Sequence, residues 1–356
     1  MTTLRWLKLA GLRMAASLGL TSWALHSRWR QERLLILCYH GISLEDEHEW
    51  NPSLYVAPAL FRQRMDALHR MGCAVLGLGE ALERLYSGRL PKKAVAITFD
   101  DGSYDFYRSA HPILREYGFP ATVYLTTYYA SYNRPVFDVV LSYLLWKGRN
   151  QALEWPELLE RAAWLDKRGR RAVQLRIRSR AQREGLSAKD KDGLLESLAG
   201  KLGVDYQGLC NKRMLHLMTL EEARELAEEG VDIQLHTHRH RLWRQRDLFT
   251  QEIEDNRRSI STISGKPLVH FCYPCGLHWP EVAEFLGACG IESATTCQPG
   301  LADRRTNRFF LPRFLDSSNV TVAEFMAWVS GLASFLPQRG NGPNESERSE
   351  YASAED

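Results

Sequence analysis

Charge of one sign is missing from this chain of 356 residues: 46 Lys and Arg face 43 Asp and Glu, a formal net charge of +3. That balance excludes nucleic-acid binding through the charge of the whole surface, which needs a basic footprint. A cysteine framework is missing too. Cys38, Cys73, Cys210, Cys272, Cys275, Cys289 and Cys297 are odd in number and irregular in spacing. Such a set points to a reducing compartment, and so to the cytoplasmic rather than the periplasmic face of a membrane. Cys272 and Cys275 have CxxC spacing, but Pro274 lies between them and no second pair completes a zinc knuckle. Nor is there a spanning run: Met14–Leu25 is only 12 residues, and a bilayer needs roughly 20. No internal repeat stands out, and from Pro337 apolar residues almost vanish, so 336–356 reads as a disordered tail. What remains is 44% hydrophobic and 25% charged, the balance of a globular protein with a packed core. Its length suits one large α/β domain with an insertion, or two smaller domains.

Residues 1–33 read as a membrane-associating or signal-like segment. Arg5, Lys8 and Arg13 precede the apolar run, and Arg28, Arg30 and Arg33 follow it. Cations flanking apolar and Trp residues suit an interfacial anchor, and a helix packed on the domain is the alternative. The main domain is expected over 34–335. Within it, LLILCY (34–39), CAVLGL (73–78), AVAITF (94–99), ATVYLT (121–126), VDIQL (231–235), LVHFC (268–272) and IESATT (291–296) read as strands, with helical periodicity between them. TLEE (219–222) has the Thr-x-x-Glu signature that opens a helix. The pattern lapses over about 135–215, a mostly helical insertion in which Arg161–Lys191 carries eleven Lys and Arg against three Asp and Glu. That stretch is either a solvated helical excursion or a cationic surface for lipid head groups or a phosphorylated glycan carrier. Repeated βα units imply parallel strands with helices outside, as a barrel or an open sheet, and function collects at the C-terminal strand ends.

Four such ends carry polar residues: His40, Asp100–Asp101, His236–His240 and Pro274. Two adjacent carboxylates after a buried strand are costly unless something compensates them. A divalent cation does so, with one carboxylate ligating and its neighbour left free. The alternative is a pair of solvated aspartates capping the helix near Tyr104. In HTHRH (236–240), two imidazoles and one carboxylate leave open positions for water and substrate. His238 leaves the pairing open, as 236/240, 236/238 or 238/240.

TFDDG (98–102) with HTHRH (236–240) resembles the first two motifs of the polysaccharide deacetylases, carbohydrate esterase family 4 with the NodB-homology domain. FCYPCG (271–276) looks like the third motif, TTCQPG…LPRF (295–314) is similar to the closing region, and YHGI (39–42) is similar to the opening of the subgroup acting on poly-N-acetylglucosamine. The resemblance implies a distorted (β/α) barrel and the removal of acetyl groups from the N-acetylated sugars of a bacterial polysaccharide or its lipid-linked precursor. It implies a divalent metal, zinc by default with cobalt, nickel or manganese as alternatives, on Asp101, His236 and His240. Asp100 becomes the general base, and Tyr273, Pro274 and Cys275 the substrate-contacting wall. The chain departs from the pattern in three places. No Leu-x-x-His follows residue 278, so His40 takes the general acid's place. FCYPCG has no Arg, so Arg313 of LPRF stands beside Asp100 instead. Cys275 replaces an aromatic residue. O-deacetylation or deformylation, a catalytically dead glycan-binding module and a membrane-surface scaffold are the competing functions.

Overall fold

The computed structural model describes residues 3–336, so the tail expected over 336–356 lies outside the described residues apart from Leu336. The chain divides into two compact units, Met1–Ser131 with Met218–Asp356, and Tyr132–Leu217.

The first unit is built on eight strands: β1 (Leu35–Tyr39), β2 (Ala74–Leu76), β3 (Ala94–Phe99), β4 (Thr122–Leu125), β5 (Asp232–Leu235), β6 (His270–Cys272), β7 (Ser293–Thr295) and β8 (Phe314–Leu315). They lie in the order β7-β6-β5-β4-β3-β1-β8, with β2 against the first half of β3, and every pairing is parallel. β1 and β3 are buried along their whole length, which is why their sequences run apolar without alternation. Between β7 and β8 the segment 308–315 crosses the gap. The amides of Ala294 and Thr296 donate to the carbonyls of Arg308 and Leu311, and Phe314 then pairs with Leu37 of β1. The sheet is thereby curled into a distorted half-barrel, the architecture the resemblance implied.

The principal helices are α1 (Thr3–Ser17), α2 (Leu20–His26), α3 (Pro58–Arg70), α4 (Leu78–Ser87), α5 (His111–Tyr117), α6 (Phe137–Lys147), α7 (Lys167–Arg183), α8 (Ala188–Leu202), α9 (Leu220–Glu228), α10 (Arg246–Ile260), α11 (Val282–Ala288) and α12 (Val322–Val329). The capping box read at TLEE is present: Thr219 Oγ1 accepts from the Glu222 amide, and the Glu222 carboxylate accepts from the Thr219 amide. Register does the positioning. Tyr39 pairs with Phe99, so His40 and Asp100 emerge side by side. Leu235 pairs with both Leu125 and Phe271, so His236 emerges between Thr126 and Cys272.

The boundary expected at residue 33 is not a break in the fold. Arg30 is fully buried, donating to the carbonyls of Val329 at 2.7 Å, Ala94 at 3.1 Å and Arg33 at 2.7 Å. A buried guanidinium persists only with its donors satisfied, and here they tie the segment before β1 to the start of β3 and the end of α12. The second unit, Tyr132–Leu217, contains α6, α7 and α8 and a short antiparallel pair, Ala152–Leu153 with Ala163–Trp164. Two-residue strands carry no periodicity, so the sequence shows no sign of that pair. α7 buries Val173, Ile177 and Ala181 and turns its arginine-rich face outward.

Candidate active site

β3 ends at Phe99, and the backbone then turns sharply. Asp101 and Gly102 both adopt left-handed conformations, φ 68° and 80°. Glycine suits position 102, because an L side chain is strained at that φ and its Cβ would also meet Leu125 Cδ1. This kink separates the two neighbouring carboxylates. Asp100 is turned into the sheet and Asp101 toward the end of β5.

Asp101 Oδ1 lies 3.1 Å from His236 Nε2 and 3.2 Å from His240 Nε2, and the imidazole centroids are 4.9 Å apart. His236 Nδ1 is 2.8 Å from the Cys272 carbonyl. A carbonyl only accepts, so Nδ1 carries a proton, and Nε2 is the nitrogen turned to Asp101 and placed to ligate. Thr237 and His240 also take left-handed backbone, φ 63° and 57°. Strain of that kind costs about 1–3 kcal/mol per residue and persists where surrounding structure enforces it. His238 leaves the cluster, its Nδ1 lying 2.8 Å from Thr127 Oγ1. Of the three pairings the sequence left open, 236/240 is the one gathered at Asp101.

Asp100 is held by Arg313 through two parallel bonds, Nη1 to Oδ1 and Nη2 to Oδ2, both 2.7 Å. Arg313 is itself fully buried and anchored by Nε to the Thr296 carbonyl at 2.9 Å. Burial pushes the Asp100 carboxyl up, but the Arg313 guanidinium outweighs it and holds the acid well below the usual carboxylate range. The thiols of Cys38 and Cys272 each stand 3.5 Å from Asp100 Oδ2. His40 is part-exposed, with Nε2 3.8 Å from Asp100 Oδ2. The loop after it is fixed by buried Asp105, whose Oδ1 accepts the Ile42 amide at 3.1 Å.

Among the described residues, the donor chemistry fits a cation best at one place. Carboxylate and imidazole atoms of Asp101, His236 and His240 lie within 4.8 Å of one another, the two-nitrogen, one-oxygen set of an open divalent site. Cys38–His40–Asp100 and Asp100–His236–Cys272 also cluster, but Asp100 in both is already engaged by Arg313 on both oxygens.

The expected wall requires correction at two residues. Tyr273 is fully buried and its hydroxyl donates to the Phe309 carbonyl at 2.8 Å, and Pro274 is buried. An enclosed ring has no surface for a sugar. Cys275, on left-handed backbone at φ 54°, is partly exposed.

Two residues unsuspected from the sequence brace the histidines. Buried Asn256 accepts the His236 amide at 2.9 Å and donates to the Leu125 carbonyl at 2.9 Å and Thr127 Oγ1 at 3.0 Å. Buried Glu252 accepts from the amide and guanidinium of Arg239 at 2.8 and 2.7 Å. Their signal was present: both interrupt the buried stripe Phe249, Ile253, Ile260 of α10, where polar groups stay only with partners.

With that geometry in place, the family comparison is decisive: the sequence model described as Polysaccharide deacetylase matches residues 87–294, more than half of the chain. The chain belongs to the polysaccharide deacetylase family. The two aspartates and the two clustered histidines fall inside the match, whereas His40 and Arg313 fall outside it. Over 94 residues this deacetylase-family chain is 39% identical to YxkH of Bacillus subtilis, which is named for the same family. It is 30% identical over 94 residues to the poly-β-1,6-N-acetyl-D-glucosamine N-deacetylase of Escherichia coli K12. Each stretch is 26% of this chain, and it spans only 32% and 14% of those two proteins. Among solved structures, a Streptococcus pyogenes deacetylase in complex with acetate aligns over 86% of this chain and all of its own, at TM-score 0.55 and 20% identity. IcaB from Ammonifex degensii aligns over 85% of this chain and 98% of its own, at TM-score 0.51 and 20% identity. These likenesses concern the fold.

Proposed function

We propose that the protein is a metal-dependent hydrolase that removes acetyl groups from N-acetylated sugars of a bacterial polysaccharide or its lipid-linked precursor. The observation that carries this reading is the convergence of Asp101, His236 and His240 beside an Asp100 whose two oxygens are both held by Arg313. A divalent cation on those three residues, zinc by default with cobalt, nickel or manganese as alternatives, supplies a water of lowered pKa and a polarised acyl oxygen.

The chain's own groups do the rest. Asp100, kept anionic by Arg313, accepts a proton from the attacking water as its oxygen adds to the acetyl carbon. Arg313 fixes the direction of that carboxylate, since both of its bonds must break before Asp100 can rotate. His40, beside Asp100 Oδ2, gives a proton to the sugar nitrogen as the C–N bond breaks, releasing acetate and a free amine. The 3.8 Å separation of His40 Nε2 and Asp100 Oδ2 gives the proton a short return path, which resets both groups. The E. coli relative named above acts, by its name, on poly-β-1,6-N-acetyl-D-glucosamine, and a β-linked N-acetylglucosamine chain is the first substrate to try. On α7, Arg168, Arg171 and Arg176 pair with no carboxylate among the described residues. That supports an anionic contact for this helix, with a phosphorylated glycan carrier or lipid head groups. That none of the seven cysteines is paired in a disulfide supports work at the cytoplasmic face.

The test is acetate release from N-acetylglucosamine oligomers by metal-loaded protein, with metal content measured in parallel. Asp101→Ala is expected to lose both metal and turnover. Metal bound with no acetate, formate or other acyl product across a broad glycan panel would instead mark a binding module.

A further inference from the structure

Apolar residues of the N-terminal hairpin are found both buried and exposed. Leu9 and Leu12 of α1 and Ala24 and Leu25 of α2 are buried, and both helices pack on α12. Around the left-handed turn at Gly19, φ 74°, four others face outward: Met14 61%, Leu18 68%, Leu20 44% and Trp23 73% exposed. Ten large apolar side chains are exposed among the described residues, and four of them fall within this stretch of ten. Scattered single exposures are ordinary, whereas a cluster at the tip of a hairpin marks a contact surface.

Charge narrows the choice of partner. No Asp or Glu precedes Glu32, while Arg5, Lys8, Arg13 and Arg28 do; Arg13 and Arg28 are exposed, Arg28 paired with Glu32 at 2.8 Å. A second copy of the chain docking tip to tip would bring like charges together. An anionic bilayer surface meets both demands at once. Its head groups attract the cations, and its interfacial zone accepts Leu, Met and above all Trp, whose ring is apolar with one polar edge. No helix among the described residues is long and apolar enough to cross a membrane, so such contact is made in the interface plane.

We propose that the α1–α2 turn docks the protein on anionic phospholipid membranes by inserting Met14, Leu18, Leu20 and Trp23 at the head-group boundary. Arg30 and the buried side of the hairpin couple that anchor rigidly to β3, so the catalytic unit is held at the surface. The inference does not depend on the deacetylase reading, because its readout is lipid binding.

The experiment is co-sedimentation of the full chain with vesicles of phosphatidylcholine alone and of phosphatidylcholine with phosphatidylglycerol, at low and high salt. The protein is expected to sediment with the anionic vesicles, and added salt to weaken that binding without abolishing it. Leu18→Asp/Trp23→Asp should lower the partition coefficient at least tenfold. Because both side chains are mostly exposed, the melting temperature and the hydrolysis of a short soluble oligomer should stay unchanged. Arg13→Gln/Arg28→Gln should reduce the preference for the anionic lipid alone. Wild type left in the supernatant with both vesicle types overturns the proposal, as does a double aspartate variant that binds equally well. A solution dimer that the same variant splits, with no lipid binding by either form, would instead assign the patch to a second copy.

Discussion

Replacing Asn256 by Ala removes one side chain and leaves two backbone groups without their partners, the amide of His236 and the carbonyl of Leu125. Both are buried at the root of the histidine segment. Each unsatisfied buried group costs about 1–3 kcal/mol, so roughly 3 kcal/mol is expected once partial relaxation is allowed for. In a unit of this size that corresponds to a fall in melting temperature of about 5 °C. The loss should not be confined to stability. His236 is aimed from its own amide and from its Nδ1 bond to Cys272, and loosening one of two such supports typically weakens metal affinity by about 10–100-fold. Asn256→Asp separates the contributions: it keeps the acceptor for the His236 amide and loses the donor to Leu125. Zinc affinity by chelator competition and melting curves with and without zinc read both quantities. If Asn256→Ala melts far lower yet holds zinc as tightly as wild type, Asn256 supports the sheet and not the ligand, and the reasoning fails.

Other substitutions probe neighbouring parts of the same machinery. His40→Ala should cut acetate release by about 10²–10⁴-fold with bound metal unchanged, and full turnover would remove His40 from the mechanism. Gly102→Ala combines a left-handed φ of 80° with a clash against Leu125. It should depress both the melting temperature and metal content, and metal analysis that matches wild type would show that Asp101 does not depend on this kink. Burial pushes the Asp316 carboxyl from 3.8 up to about 6, against the opposing pull of Arg64 and Tyr39. Between those two values the folded chain keeps a proton that the unfolded chain releases. The contribution of Asp316 is therefore fully present below about pH 4 and lost as pH rises through 6, by up to about 3 kcal/mol. Urea unfolding between pH 4.5 and 7.5 should show wild type losing stability relative to Asp316→Asn across that window, and parallel curves would refute the assignment.

The strands that deliver Asp100, His236 and Cys272 were legible because a doubly covered parallel strand is apolar along its whole length and ends abruptly in chemistry. β8 was not, since Phe314–Leu315 is two residues long and takes its place only by pairing with Leu37. The candidate ligands were legible as a set of residue types, and the resemblance selected His236 and His240; what only the backbone shows is the left-handed conformation at Thr237 and His240 with which those two rings converge. Tyr273 misled in the opposite way. An aromatic residue beside a groove motif reads as a sugar platform, but its ring is enclosed by Phe271 and Phe310. Arg30, in a run of arginines, looks like one more surface charge, and only its three carbonyl partners reveal it as a fastener.

That fastener has a practical corollary for anyone who trims the protein. Deleting residues 1–33 as a dispensable leader would strip the Ala94 and Val329 carbonyls of their donor, at the foot of the very strand whose tip presents Asp100 and Asp101. A shortened protein that precipitates or turns over slowly would then report damage to that strand rather than loss of an address, whereas point changes at the hairpin tip leave the brace intact.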